Sequence, residues 1–341
     1  MNDSYTHTSN VGVKTPTAQK TFSRLGLSII LLTVGTVAMQ YAVGFLLHWA
    51  NPAFLSAWWA DWMVSILPLY GIGLPSMFLA LQNLPVAPYN AVCGDSGILY
   101  KKPALTKGVW VRILFMGFGC MYIGSIVGTA IMDVISNLTG YSYDNSLNVM
   151  VEKSPMWATV LGTCVVAPLG EEFIFRKLFI DRARRFGDAP AILLSGLVFG
   201  LFHANLYQFF YATMLGILLA YIYTRTGNFW LCASMHAAIN LMAGVVIPAL
   251  SELIPIDQTV ELTSTQALVS LALAVWVYGT ILSAIVLFIK RHPWRVLSPS
   301  PDRRSTRSAM RDAFGSPGML AALILLSMII VLNLVLPVLM A

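Results

Sequence analysis

Charge is scarce in this chain. Asp, Glu, Lys and Arg make up 11% of its 341 residues, while apolar residues make up 57%. A soluble globular domain carries about 25% charged residues, and one water-soluble core does not grow much past roughly 250–300 residues. So few charges over this length exclude a single domain folded in water. Cysteine is scarce too. Cys93, Cys120, Cys164 and Cys232 form no C-x-x-C pair and no disulfide framework, and those within spans read as buried thiols rather than nucleophiles. No H-E-x-x-H helix occurs, which excludes a thermolysin-like zinc site, and no G-x-S-x-G elbow occurs. Residues 1–24 are polar and the apolar run behind them is long, a poor match to a cleavable signal peptide. The first span therefore reads as an uncleaved anchor.

What the chain has instead is long apolar runs. A helix crossing the hydrocarbon core needs about 20 apolar residues. Nine segments reach or approach that length: Leu25 to Leu47, Trp62 to Leu81, Val109 to Met132, Met156 to Ile180, Ala189 to Ala204, Tyr207 to Thr224, Phe229 to Leu250, Ala267 to Ile289 and Met319 to Met340. The Ala189 segment is short, so a tilted, kinked or re-entrant helix is expected there. The runs are continuous rather than alternating, which favours helices over a barrel. The fold class is an all-α, polytopic membrane helix bundle of about eight to nine transmembrane helices.

The net charge of +6 does not point to nucleic acid, because of where the charges fall. With the N-terminus in the cytoplasm and nine crossings, 20 of the 21 basic residues lie inside and Lys153 alone lies outside. This is the positive-inside bias. It predicts a multi-pass protein, of the plasma membrane if prokaryotic, with its C-terminus outside and its basic face against anionic lipid headgroups. The expected organisation is a polar cytoplasmic tail (1–24), a bundle (25–289), a basic cytoplasmic linker (290–317) and an additional C-terminal helix (318–341) appended to the bundle. Residues 83–108 also read as a linker. The outer loop from Asp133 to Ser154 is long enough for a short surface helix.

Ionisable groups inside the membrane are costly, by about 2.5–3.5 kcal/mol each on insertion scales. Of fifteen acidic residues only Glu171 and Glu172 lie deep in a span, with Arg176 one turn on, and of five histidines only His203 and His236 do. A rise of about 1.5 Å per residue places Glu171 about 16 Å, His203 about 20 Å, His236 about 10 Å and Asn240 about 16 Å from the cytoplasmic edge. Three spans thus bring polar groups to a similar level. Glu172 and Arg176 are four apart and pair on one helix face, as a structural or a catalytic pair, while Glu171 is turned away by about 100°. His236 and Asn240 share a face. Pro168 loosens the helix ahead of the glutamates and frees a carbonyl. Asn205, just past His203, is expected either to cap a span end or to face water. Interhelical glue accounts for a lone membrane histidine equally well.

A carboxylate, two histidines and an amide at one depth form the parts list of a hydrolase. A buried carboxylate can act as a base, and an imidazole or amide N–H can stabilise an oxyanion. Glu171-Glu172-Phe-Ile-Phe-Arg176, Phe199-Gly-Leu-Phe-His203 and His236-Ala-Ala-Ile-Asn240 resemble the E-E-x-x-x-R, F-x-x-x-H and H-x-x-x-N motifs of the CAAX protease and bacteriocin-processing (CPBP, or Abi) family of intramembrane endopeptidases. The three occur in the family's order, one per span, and the resemblance covers about residues 155–250. It implies that Glu171 activates the attacking water, that His203 helps hold it, that His236 and Asn240 stabilise the oxyanion, and that Glu172 and Arg176 support them. It favours catalysis with no cofactor. A zinc ion held by Glu171, His203 and His236 stays open on donor chemistry alone. The expected substrate is a hydrophobic or lipidated peptide, such as a CAAX tail, a leader, a pheromone or a bacteriocin precursor. Two other classes remain on the residues: a non-enzymatic bacteriocin-immunity or scaffold protein, and a proton-coupled transporter, for which no inverted repeat is visible.

Overall fold

The computed structural model describes residues 16–86, 106–255, 261–290 and 305–340. Among the described residues every regular element is helical. The helices are α1 (Ala18–Ala50), α2 (Trp58–Leu81), α3 (Lys107–Thr139), α4 (Ser146–Lys153), α5 (Met156–Phe186), α6 (Asp188–Phe202), α7 (Leu206–Thr226), α8 (Phe229–Ser251), α9 (Ser264–Lys290), α10 (Thr306–Phe314) and α11 (Pro317–Met340). Eight of them are long and apolar enough to cross a membrane. The chain is a polytopic helical membrane protein.

Helix α6 falls short. Its 15 residues rise about 22 Å, less than the ~30 Å hydrocarbon core. The short Ala189 run is thus a short helix, closed by the turn into α7. Asn205 caps α7 there, its side-chain oxygen accepting the Gln208 N–H at 3.2 Å.

The end at which α1 starts is one face of the bundle, here termed proximal. Arg24 of α1 donates to the carbonyls of Ala80 (2.9 Å) and Gln82 (2.5 Å) at the end of α2. Phe22 packs on Phe186 at the end of α5, with ring centroids 5.7 Å apart. Two charged ties set the register of the next helices. Asp188, at the start of α6, lies 3.8 Å from both Arg184 at the end of α5 and Arg225 at the end of α7. Asp181 accepts from the Tyr223 hydroxyl at 3.0 Å. These ties, one between opposite charges and one a hydrogen bond, hold α5, α6 and α7 together at this end. Half of the most apolar stretch of α7 is buried but only 11% of that of α9, so α7 is central and α9 faces lipid.

Several sequence expectations need correction. Helix α1 begins at Ala18 rather than at residue 25, because Thr17 caps it and Ala18 and Phe22 are buried beneath the apolar run. The tail is correspondingly shorter. Part of the 290–317 linker is helix α10, capped by Ser305 and seated through the buried Ala309 and Ala313. Residues 291–304 of that linker, and 87–105 of the 83–108 stretch, lie outside the described residues. The C-terminal helix is not an appendage. The Gly318 N–H donates to Ser23 Oγ at 2.9 Å, and Met319, Ala322, Leu326 and Ile330 are buried. At this crossing a Cβ on Gly26 would run into the backbone of Gly318 and Met319, so the two helices meet backbone to backbone. The short surface helix expected in the outer loop is α4.

Candidate active site

The site begins with a proline. Pro168 has no N–H, and the helix ahead of it widens into π turns over Val160–Val166. In that geometry the carbonyl five residues back, Thr163, has no backbone donor. Asn240 of α8 supplies one, its Nδ2 lying 2.8 Å from Thr163 O. The Tyr70 hydroxyl of α2 donates to Val166 O at 3.2 Å. Tyr70 lies so close to Gly170 that any Cβ there would strike its ring, and its hydroxyl is within electrostatic reach of Glu171. The Glu171–Glu172 pair thus sits on a short helical stretch between two π segments, a kind of irregularity that recurs at functional sites.

Both glutamates turn toward His236. Glu172 Oε1 lies 3.0 Å from Nδ1, and Glu171 Oε2 lies 3.7 Å from Nε2. A carboxylate only accepts, so Nδ1 carries the hydrogen. Glu172 also pairs through Oε2 with Arg176 Nε at 2.9 Å, and both side chains are fully buried. Arg176 further donates to Gly216 O at 3.4 Å and stands 4.9 Å over the Phe199 ring. Glu172 is therefore neutralised and shut away. Glu171, 19% exposed, is the carboxylate of the pair that another molecule can reach.

Phe199 brings the histidines together. Its ring meets His203 edge-on at 4.9 Å and His236 edge-on at 5.8 Å. His203 Nδ1 lies 2.8 Å from the Phe199 carbonyl, an acceptor, so Nδ1 is the donor and Nε2 remains free to accept. Among the described residues no direct hydrogen bond joins His203 to Glu171, and Asn240 is engaged with Thr163 rather than with a histidine.

The structure thus gathers Glu171, Glu172, Arg176 and His236 into direct contact, holds His203 beside them through Phe199, and sets Asn240 behind α5. Tyr70 and the Thr163 carbonyl were not foreseen. Tyr70 is a hydroxyl two residues after Pro68 inside a span, which is a readable signal, whereas a backbone carbonyl leaves none. Among the described residues no three His, Cys, Asp or Glu side chains are grouped so as to hold a metal ion.

A reachable carboxylate beside a histidine, next to a neutralised second carboxylate inside a helical membrane protein, is an arrangement suited to hydrolysis. Residues 153–242 match the family described as "Type II CAAX prenyl endopeptidase Rce1-like", a stretch that contains all three motifs. A Bacillus subtilis (strain 168) protein named "Putative membrane peptidase YdiL" is 29% identical over 108 residues, which are 31% of this chain and 42% of that protein. The chain thus spans less than half the length of the curated relative it matches. No solved structure matches it. The resemblance drawn from the motifs is supported at this level: residues 153–242 are similar to that family of endopeptidases and part of the chain is similar to a membrane peptidase.

Proposed function

We propose that the protein is an intramembrane endopeptidase in which Glu171 activates a water molecule without a metal. One observation carries this reading. Of two adjacent glutamates on one histidine, Glu172 is sealed by Arg176 and Glu171 is left reachable. In the proposed reaction Glu171 takes a proton from the water as its oxygen attacks the scissile carbonyl, and His203 Nε2 accepts the water's other hydrogen. The proton taken by Glu171 passes to the bare Nε2 of His236, 3.7 Å away, and from there to the leaving amine. Glu172 holds the His236 ring from the other side, fixing its tautomer, as a second carboxylate does in other histidine sites. By family resemblance Asn240 is an oxyanion donor. Its bond to Thr163 uses one of its two N–H groups and leaves the other.

We further propose a hydrophobic or lipidated peptide as substrate, and a proximal face in the cytoplasm against anionic headgroups. The second proposal is supported by the basic helix ends gathered there, among them Arg24, Arg184 and Arg225. The test is purified protein in liposomes, given a farnesylated CAAX peptide and a panel of apolar leader peptides. Wild type is expected to cleave at least one of them. Glu171→Gln is expected to lose at least about a thousandfold in rate while unfolding at the same temperature. Metal analysis accompanies it. Full activity of Glu171→Gln, or stoichiometric zinc with chelator-sensitive cleavage, overturns the mechanism. A Glu171→Gln protein that still protects cells from a bacteriocin points to an immunity scaffold instead.

A further inference from the structure

The turn between α6 and α7 ends on His203, and its conformation is unusual. Ala204 has φ +56°, in the left-handed region that side chains rarely adopt. The chain carries alanine there and not glycine, so the surroundings must hold the turn. Besides the local bonds of Ala204 N–H to Leu201 O and of the Asn205 cap, one contact on the turn comes from outside the matched residues. Asn333 Nδ2, on α11, donates to the Ala204 carbonyl at 2.9 Å. Helix α11 is the most apolar span, with mean hydropathy 2.9, and lies beyond the matched residues 153–242. An amide group in such a helix is unfavourable in lipid unless it has a partner.

The neighbouring contacts show how the helix is fixed in register. The Tyr143 hydroxyl donates to Leu334 O at 2.8 Å, and the Tyr207 hydroxyl donates to Tyr143 O at 2.9 Å. These residues, with Ala204, Asn205 and Asn333, line a cavity of about 290 Å³ beside the turn. Tyr143 ties α11 to the outer loop. Asn333 alone among these contacts donates to the turn that carries His203.

We infer that Asn333 is a positioning residue for His203, and that α11 is thereby a working part of the proteolytic unit. This rests on the peptidase reading above. Loss of the amide frees the Ala204 carbonyl, lets the turn relax out of the left-handed region, and swings His203 away from the water it holds. A displacement of about 1 Å in such a group lowers turnover up to about a hundredfold.

The experiment uses the full chain in liposomes with the peptide that wild type cleaves. Asn333→Leu is expected to lower kcat by about tenfold to a hundredfold with KM within about twofold. Asn333→Gln, which keeps a donor, is expected to recover part of that loss. Adding Ala204→Gly to Asn333→Leu is expected to recover at least about threefold, because glycine holds the left-handed turn unaided. Tyr143→Phe, which loosens α11 without touching the turn, is expected to stay within about twofold of wild type. Hydrogen exchange gives a readout independent of activity. In Asn333→Leu the amides of residues 203–206 are expected to exchange about ten times faster, with those around His236 unchanged. Unchanged kcat or unchanged exchange in Asn333→Leu overturns the proposal. So does a loss that Tyr143→Phe reproduces and Ala204→Gly fails to repair, since that marks α11 docking alone. If wild type cleaves nothing, the peptidase reading fails, while the exchange measurement still decides whether Asn333 holds the turn.

Discussion

Arg176→Met strands a buried anion. In the native protein Glu172 has two partners, Arg176 Nε at 2.9 Å and His236 Nδ1 at 3.0 Å, and neither Glu172 nor Arg176 has any exposed surface. Methionine fills most of the arginine's volume, so the main loss is electrostatic. Removing one partner of a buried ion pair destabilises by about 3–5 kcal/mol, because the other charge remains unpaired. The His236 bond does not offset this, since it exists already. The guanidinium also leaves the Phe199 face, an interaction of about 2 kcal/mol when desolvated, and the Gly216 carbonyl. A loss of about 4 kcal/mol is therefore expected in reversible unfolding by SDS in mixed micelles. Removing the anion as well changes the outcome. Glu172→Gln/Arg176→Met is expected to lie within about 2 kcal/mol of wild type, since replacing both ions often restores stability. That leaves a coupling of at least about 2 kcal/mol between the two sites. Activity separates from stability in this pair. The double variant folds, but His236 has lost the carboxylate that fixed its tautomer, so its cleavage is expected to be lower by about two orders of magnitude or more. Arg176→Met as stable as wild type, or a double variant less stable than Arg176→Met, refutes the reasoning.

Asn240→Leu leaves the Thr163 carbonyl without a donor and is expected to destabilise by about 1–3 kcal/mol. Pro168→Ala in that background returns a backbone N–H, so thermal unfolding of the double variant is expected to recover while cleavage does not. Phe199→Ala removes the ring between the two histidines and is expected to lower stability by about 3–5 kcal/mol in the same SDS titration, with loss of cleavage. Gly26→Leu drives a side chain into the Gly318 backbone, where nothing flexible can yield. A loss of about 3 kcal/mol and release of α11 to added protease are expected.

Much of this architecture was legible in the chain. Long apolar runs mark the spans whatever their neighbours, because lipid demands length and apolarity locally. Glu171, Glu172, Arg176, His203 and His236 stood out because charge and imidazole are rare at that depth. Pro168 announced a freed carbonyl, although not that Asn240 would take it. Other features left no such trace. Helix α11 is apolar on every side, so no stripe told its packed face from its lipid face, and it read as an addition. Its seat depends on Gly26 meeting Gly318, and such close approach between distant glycines has no local pattern. Asn333 was the visible exception, an amide in the most apolar span. The start of α1 was missed because its first buried residues, Ala18 and Phe22, sit among polar neighbours that rest at the membrane edge.

The contact between α1 and α11 joins Ser23 to Gly318 across 295 residues. During synthesis α1 is therefore inserted long before the helix that covers it. Its packing face must wait in lipid while the intervening helices enter. That later helix also brings Asn333 to the turn that bears His203. A bundle still in assembly thus contains the glutamates and both histidines but not the clasp that sets them. On the proposed function, competence for hydrolysis follows the docking of α11 rather than the insertion of the glutamates and histidines themselves.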